Sequence, residues 1–250
     1  MNKQYFEFIF AMTEREFKTR YKRAIFGFIW VLINPILQML IIGIIFSYFI
    51  DIPNYFIFLF SGLMPWNFIT ATMTRGTPSF VSERLLIKKA KFPLEAIPLS
   101  VIFSNFIHLG VSVFLFLGVL VVLGGGGNIS LVFLFLSLIW LLLLSSGLVF
   151  FTSTLHVKFR DINFITQAFL IVLFYATPIL YDLSLIPERL WFIFYLNPLT
   201  SIVMLFQCSF TGQCRLNPNI VGVNILIGII VVLCGVIVFR KNKRNLVDWL

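Results

Sequence analysis

Long apolar runs alternate with tight clusters of lysine and arginine along this chain, and that alternation leaves few folds open. Lys3, Arg15, Lys18, Arg20, Lys22 and Arg23 precede the first run. Arg84, Lys88, Lys89 and Lys91 lie between the second and third, Lys158 and Arg160 between the fourth and fifth, and Arg240, Lys241, Lys243 and Arg244 follow the last. The remaining gaps hold Asp51, a glycine run, and a segment with Asp182, Glu188, Arg189 and Arg215. Basic loops stay in the cytoplasm while apolar runs insert. The pattern predicts a polytopic membrane protein with both termini cytoplasmic. A run in hydrocarbon must satisfy its own backbone, so each is helical. Crossing takes about 20 residues, and residues 26–50, 55–74, 97–123, 129–155, 164–180 and 221–239 qualify. The expected fold is all-α with six spans, the short connections at 51–54 and 124–128 making tight hairpins.

Composition agrees. Of 250 residues 60% are hydrophobic and 12% charged, about half the charged share of a soluble domain. The net charge of +9 sits at membrane edges. It therefore speaks for anionic lipid, at roughly 1 kcal/mol per residue near the surface, and against a nucleic-acid partner. Residues 1–23 lack an apolar signal-peptide core, so the first span is expected to act as the insertion signal. Cysteine spacing shows no metal site. Cys234 falls in the last span as packing. Cys208 and Cys214 fall on the outer side, where a disulfide and two thiols are both open readings.

Three segments outside the spans carry pattern. In residues 1–25, Tyr5, Phe6, Ile9, Phe10, Thr13 and Phe17 recur at helical spacing, with Glu7, Glu14, Arg15 and Lys18 elsewhere on the wheel. That is an amphipathic helix, either lying in the cytoplasmic interface or packed on neighbouring spans. Residues 82–98 are short, basic and amphipathic; Ser82 is placed to cap a helix with Leu85, Leu86 and Lys89 along one side, ended by Pro93. A solvated linker and a docking helix are both open. Residues 184–213 hold two apolar stretches broken at Asn197-Pro198, each too short to cross. A kinked span would put the 240–244 cluster outside, so charge favours an outer re-entrant hairpin. Residues 240–250 then form a cytoplasmic tail.

Catalytic signals are weak. The ten acidic residues lie in loops or at span edges, which removes the buried carboxylates of an ion-coupled transporter. His108 lies mid-span near Ser104 and Asn105, either a proton relay or a neutral imidazole bonded across the bundle. Arg75 either snorkels to the interface or lines a polar portal. Trp30, Trp66, Trp191 and Trp249 fall near expected span ends or interfacial segments. Phe46, Tyr48 and Phe49 on span one and Phe174, Tyr175 and Tyr181 on span five are candidate lining rings for a sugar conduit. Pro35, Pro65 and Pro178 bend spans one, two and five. A membrane enzyme acting on polyprenyl lipids would need a cluster of acids or histidines on one face, which the sequence does not show.

The runs FKTRYKRAIFGFIWVLINPILQMLIIGIIFS, FLFSGLMPWNF, LLIKKAKFPLEAIPLS, LHVKFRDINFITQ, YATPILY and YLNPLTSIV resemble the permease subunits of ATP-binding-cassette type-2 exporters of cell-surface polysaccharides. The resemblance is to the O-antigen (Wzm-like) group, runs through nearly the whole chain in order, and is weaker to teichoic-acid and capsule exporters. It implies a homodimer in the bacterial inner membrane, each copy docking one of two copies of a separate ATPase that holds ATP and Mg²⁺. This chain itself would bind no cofactor. The implied ATPase-coupling residues are Ser82, Glu83, Arg84, Leu85, Leu86, Ile87, Lys88 and Lys89. Pro187, Trp191, Asn197 and Pro198 would belong to an outer gate. The cargo implied is a polysaccharide on an undecaprenyl-diphosphate carrier, with Arg20, Lys22 and Arg23 facing the diphosphate or the anionic membrane surface.

Overall fold

The computed structural model describes residues 3–21, 29–89, 92–122, 129–212 and 216–250. Among these the fold is helical without strands. In chain order the helices are α1 (Lys3–Tyr21), α2 (Trp30–Phe46), α3 (Tyr55–Gly76), α4 (Ser79–Ser82), α5 (Arg84–Lys89), α6 (Ala96–Val122), α7 (Leu131–Lys158), α8 (Ile162–Tyr175), α9 (Phe192–Leu196), α10 (Leu199–Thr211), α11 (Pro218–Asn242) and α12 (Leu246–Trp249). Two single 3₁₀ turns, Leu183–Leu185 and Glu188–Leu190, precede α9.

Among the described residues, α3, α6, α7 and α11 are long and apolar enough to cross a bilayer. The expected first and fifth spans are shorter as helices. α2 has 17 residues and α8 has 14, about 25 and 21 Å at 1.5 Å per residue. Residues 22–28, part of the expected first span, lie outside the described set. α8 stops before Thr177-Pro178, because proline disfavours helix in the residue before it; Pro178 ends this segment and does not bend it. Residues 177–180 continue buried beyond the helix.

Side-chain pairs fix the bundle's polarity. α3 runs antiparallel to α6, with Phe60 against Phe116 and Phe68 against Phe106. The α5 cluster, the Lys158 and Lys243 ends of α7 and α11, and both chain ends meet in one small core. Met12, Phe80, Ile87, Ile97, Phe150, Phe239 and Leu246 form it. We call this the basic end. The far end carries Asp51, Asp182, Glu188 and the α9–α10 elbow. The end of the expected tail folds back on the bundle: Leu246 is fully buried, and Lys158 lies 5.6 Å from the Trp249 ring centre, a cation–π contact.

α3 is the hub. It packs on α2, α6, α7, α8 and α10, and 72% of its apolar window is buried against 22% for α11. Trp66 sits at its middle, buried on Phe174, and not at an interface as its residue type suggests. Many serine and threonine hydroxyls within the spans return to their own helix, as Ser61 does to the Phe58 carbonyl (2.8 Å) and Thr166 to that of Ile162 (2.7 Å). The hydroxyl is thereby satisfied without leaving hydrocarbon. Those of Thr70, Thr72, Ser104, Ser153 and Thr154 are buried without a partner among the described residues. Asn54, at φ 55°, turns α2 into α3, a left-handed position that asparagine tolerates.

The closest helix pair is α7 with α11. Gly147 faces Gly235 backbone to backbone, and a Cβ on Gly147 would lie 2.5 Å from the Val232 Cα. Small residues let helices approach where hydrophobic burial offers no driving force between them. One heptad away on each helix, Trp140 fills the space over Gly228. Cys234, expected as packing, points outward from α11.

The segment before α11 is sharply bent, with little helix at first. Residues 188–196 and α10 meet at 99°. Amide side chains hold the elbow. Asn197 Nδ2 donates to the Ala176 carbonyl (3.1 Å) and Thr177 Oγ1 (2.8 Å), while its Oδ1 accepts from the Leu199 N–H (3.1 Å). Asn224 of α11 donates to the Phe194 and Tyr195 carbonyls (2.9 and 2.8 Å) and accepts from the Ser201 N–H (3.0 Å). Gln207 donates to the Pro178 carbonyl (2.9 Å). Each broken helix end is closed by a buried amide.

Two substitutions test this packing. Gly235→Ile forces α7 and α11 apart at a backbone contact, at a cost of about 1–3 kcal/mol or more; a lower melting temperature in detergent is expected, with Gly222→Ile, which meets open space, as the neutral comparison. Asn224→Leu leaves two carbonyls and one N–H buried without partners, about 1–3 kcal/mol for each group. Limited proteolysis is expected to open residues 188–211 before any other region.

Candidate functional site

At the basic end the segment expected as a docking helix capped by Ser82 holds one short helix, α5, separated at Glu83 from the single turn α4 that precedes it. The break has a local cause. The Ser82 hydroxyl turns back to the Pro78 and Ser79 carbonyls (3.2 and 3.0 Å), and does not cap α5. The Glu83 carbonyl accepts from the Ile87 N–H (3.0 Å). α5 is anchored through Ile87, which is buried, and presents Leu85 outward at 64% exposure, flanked by exposed Arg84, Lys88 and Lys89. Leu86 is half-buried. An exposed leucine inside a ring of cations suits a protein partner with an apolar socket and acidic rim.

α1 ties this hairpin to the bundle. It packs along α6, so of the two readings of the amphipathic segment the packed one describes its inner face. Phe8 meets Phe92 at 5.0 Å near the start of α6, and Phe17 stacks on His108 at 4.8 Å near its middle. Ile9, Met12 and Thr13 are buried, while Phe6 and Phe10 stay outward, available to lipid. Burial, with the Glu95 carboxylate nearby, holds the Tyr5 phenol above its ordinary pKa. Three consecutive residues then reach three elements: Arg15 pairs with Glu83, Glu16 with Arg75 of α3 (2.9 Å), and Phe17 with His108 of α6. Glu95 pairs with Lys243 (2.7 Å), joining α6 to the end of α11.

Two grooves flank α2. One, of about 470 Å³, lies between α2, α3 and α6 and is lined by Trp30, Asn34, Gln38, Asn67, Thr70, Arg75, Asn105, His108 and Ser112. The other, about 400 Å³, lies between α2, α3 and α8 and is lined by Gln38, Trp66, Thr70, Thr74, Gln167, Phe174 and Tyr175. Gln38 and Thr70 line both, and Asn67 Nδ2 donates to Gln38 Oε1 at 3.2 Å. A third hollow opens at the far end over Asp51, Tyr181, Asp182, Gln207 and Thr211.

The candidate conduit rings do not gather in one place. Phe174 and Tyr175 line the α8 groove. Phe46 packs against the main core, Tyr48 and Phe49 are 85% and 82% exposed beyond α2, and Tyr181 lines the far-end hollow. Burial raises the Tyr181 phenol above its ordinary pKa, and it donates to the Tyr175 carbonyl (2.6 Å). Of the gate residues, Asn197 is buried as a clamp, Trp191 Nε1 donates to the Ile186 carbonyl (3.1 Å), and Pro187 is exposed. Arg75 both pairs with Glu16 and lines a groove. Arg20 falls in the last turn of α1, its side chain outside the described set; Lys22, Arg23 and Cys214 also lie outside it. Cys208 is buried.

Neither charge nor motif singles out Gln38, Asn67, Thr70, Thr74 and Gln167. The signal was present: Asn67, Thr70 and Thr74 recur at i, i+3 and i+7, one polar stripe on an otherwise apolar span. Asn34 and Gln38 repeat it at i, i+4.

The ABC-2 type transporter family matches residues 7–210. Full-length similarity extends further. A Klebsiella pneumoniae O-antigen export system permease protein, RfbA, is 31% identical over 255 residues, covering 97% of this chain and 95% of the relative. The Myxococcus xanthus protein of the same name is 30% identical, over 83% and 81%. An Escherichia coli polysialic acid transport protein, KpsM, is 26% identical, over 78% of each. The family match and the near-complete coverage agree with the helical membrane architecture, and the chain belongs to the ABC-2 type transporter family, as a membrane permease similar to those of O-antigen export.

Proposed function

We propose that this chain is the membrane subunit of an ATP-driven exporter that moves undecaprenyl-diphosphate-linked polysaccharide of the O-antigen type across the bacterial inner membrane. Two copies form the pore, and two copies of a separate ATPase, holding ATP and Mg²⁺, dock at the basic end. α2, α3, α6, α7, α8 and α11 are the six spans, with α8 continued by the non-helical residues 177–180. The basic end and both termini face the cytoplasm, and Arg20, Lys22 and Arg23 meet the diphosphate or anionic lipid there. The α9–α10 elbow lies on the outer side as the gate.

The observation that carries this reading is the α5 surface. Leu85 is exposed where the local fold has no use for it, on a helix tied through Glu83 and Arg15 to α1, and from α1 through Glu16–Arg75 to α3 and through Phe17–His108 to α6. The names of the O-antigen relatives, matched over nearly their whole length, support the cargo class. An ion-coupled transporter or channel is disfavoured because, among the described residues, no carboxylate is buried in a span. A capsule or teichoic-acid exporter is the second reading; similarity to the polysialic acid transport protein favours the capsule form, over less of the chain.

Leu85→Asp is the direct test. The exposed position predicts normal insertion and stability, with loss of ATPase co-purification and of surface glycan; intact export overturns the docking role. Ile87→Asp, by contrast, is expected to destabilise the whole basic end. Neutralising Glu16 and Glu83 together removes two part-exposed ion pairs worth at most about 1 kcal/mol each. The folded protein should persist while ATP hydrolysis uncouples from export. Cysteines at Ser184 and Thr211 should react with an impermeant maleimide from outside the cell, and one at Lys88 should not.

A further inference from the structure

The two grooves beside α2 share a chemistry that the ABC-2 reading does not assign. Asn67, Thr70 and Thr74 form one stripe on α3, and Gln38 and Gln167 face it from α2 and α8. The stripe starts within one turn of the basic end of α3 and climbs about 10 Å from Thr74 to Asn67, at 1.5 Å per residue. It then meets the Trp66 and Phe174 rings, 5.4 Å apart, with Phe174 against Tyr175 at 5.2 Å. Polar side chains at this depth are costly unless something polar meets them. Here they are under-used. Gln38 and Asn67 share one 3.2 Å hydrogen bond, although each amide has several donor and acceptor positions. Thr70 Oγ1 is buried without a hydrogen-bond partner among the described residues, as is Thr72 Oγ1 on the core side.

Charge selects the ligand class. Arg75 is the one charged residue lining either groove among the described residues, and Glu16 neutralises it at 2.9 Å. A phosphate would find no spare cation. Neutral amides and hydroxyls leading to aromatic rings match a sugar, whose hydroxyl edges hydrogen-bond and whose C–H faces lie on rings.

We propose that Asn67, Thr70 and Thr74, with Gln38 and Gln167, form a neutral track that binds the hydroxyl groups of saccharide units and passes them from the basic end to the Trp66–Phe174–Tyr175 rings. The proposal rests on the export reading and names the side chains that touch the cargo.

The test uses the full chain with its ATPase, in cells that make a polysaccharide but lack their own permease. The wild-type chain must first restore surface glycan; failure there removes the export reading, and the track with it. Thr70→Val, Gln38→Met and Asn67→Leu are then compared at equal membrane abundance. Each is expected to slow glycan appearance by about two- to tenfold, the worth of a hydrogen bond to a neutral group. Thr72→Val, which removes a fully buried hydroxyl on the core side of the same helix, should export normally. Wild-type export by the combined Gln38→Met, Asn67→Leu and Thr70→Val variant overturns the track while leaving the export reading intact. A photo-crosslinking residue at position 38 or 167, with an ATP-hydrolysis-dead partner and radiolabelled glucose in the medium, should capture labelled glycan. The same residue at Phe114, on an outward face, should not. Capture only of a second copy of the chain at 38 and 167 also overturns the proposal.

Discussion

The structure depends on one requirement: no backbone polar group can be left open where water is absent. Continuous helices meet it for themselves. This chain breaks helices inside its bundle at Ala176 and at Asn197, and each break exposes carbonyls and N–H groups in a buried place. Three amide side chains close them: Asn197, Gln207 and Asn224. An unmade hydrogen bond there costs about 1–3 kcal/mol, a large part of the stability of a typical domain. The elbow therefore has a fixed shape and is not a loose loop. Any opening of that end must move the elbow as a unit or exchange those amide bonds for others.

The same requirement explains why the grooves stand out. Many hydroxyls on the spans bond back to their own helix and present only methyl or methylene surface outward. Gln38, Asn67 and Gln167 cannot do this fully, because their side chains are directed into open space between helices. The contrast between Asn197 and Asn67 is instructive. Both are amides in apolar surroundings, yet one has three bonds to the chain and the other a single weak one. Residue type alone does not separate a structural amide from one kept for a ligand; the count of satisfied donors and acceptors does.

That distinction marks what could be read from sequence. The apolar runs, their helical state, the basic end and the bent segment at Asn197-Pro198 follow from hydropathy, charge and proline chemistry, and they match the described helices within a few residues for α3, α6, α7 and α11. The end of α8 was misread because hydropathy continues through Thr177-Pro178 while the helix does not. Trp66 was misplaced because its residue type favours interfaces on average, and packing against Phe174 overrides that average. The expected Ser82 cap is not made because Ser82 bonds backward into α4. Each miss concerns where a side chain finds its partner, information that lies in contacts distant along the chain. Asn224, for example, holds residues about thirty positions earlier.

α1 shows how such contacts can join separate parts of the molecule. A helix turns about 100° per residue, so three consecutive side chains fan over more than half its circumference. Arg15, Glu16 and Phe17 use that fan to reach the α4–α5 break, the end of α3 and the middle of α6. The two ion pairs are part-exposed and individually weak. The Phe17–His108 stack joins a half-buried ring to a buried imidazole on the groove wall. A push on α5 therefore meets a lever that is soft at its charged contacts and firm at its aromatic one. Because Arg75 belongs both to the Glu16 pair and to the groove lining, any displacement of α1 changes the charge presented to the groove: with Glu16 in place the groove is neutral, and with Glu16 withdrawn it gains one uncompensated cation. The docking surface and the groove are thus connected by electrostatics as well as by packing, through a single turn of helix.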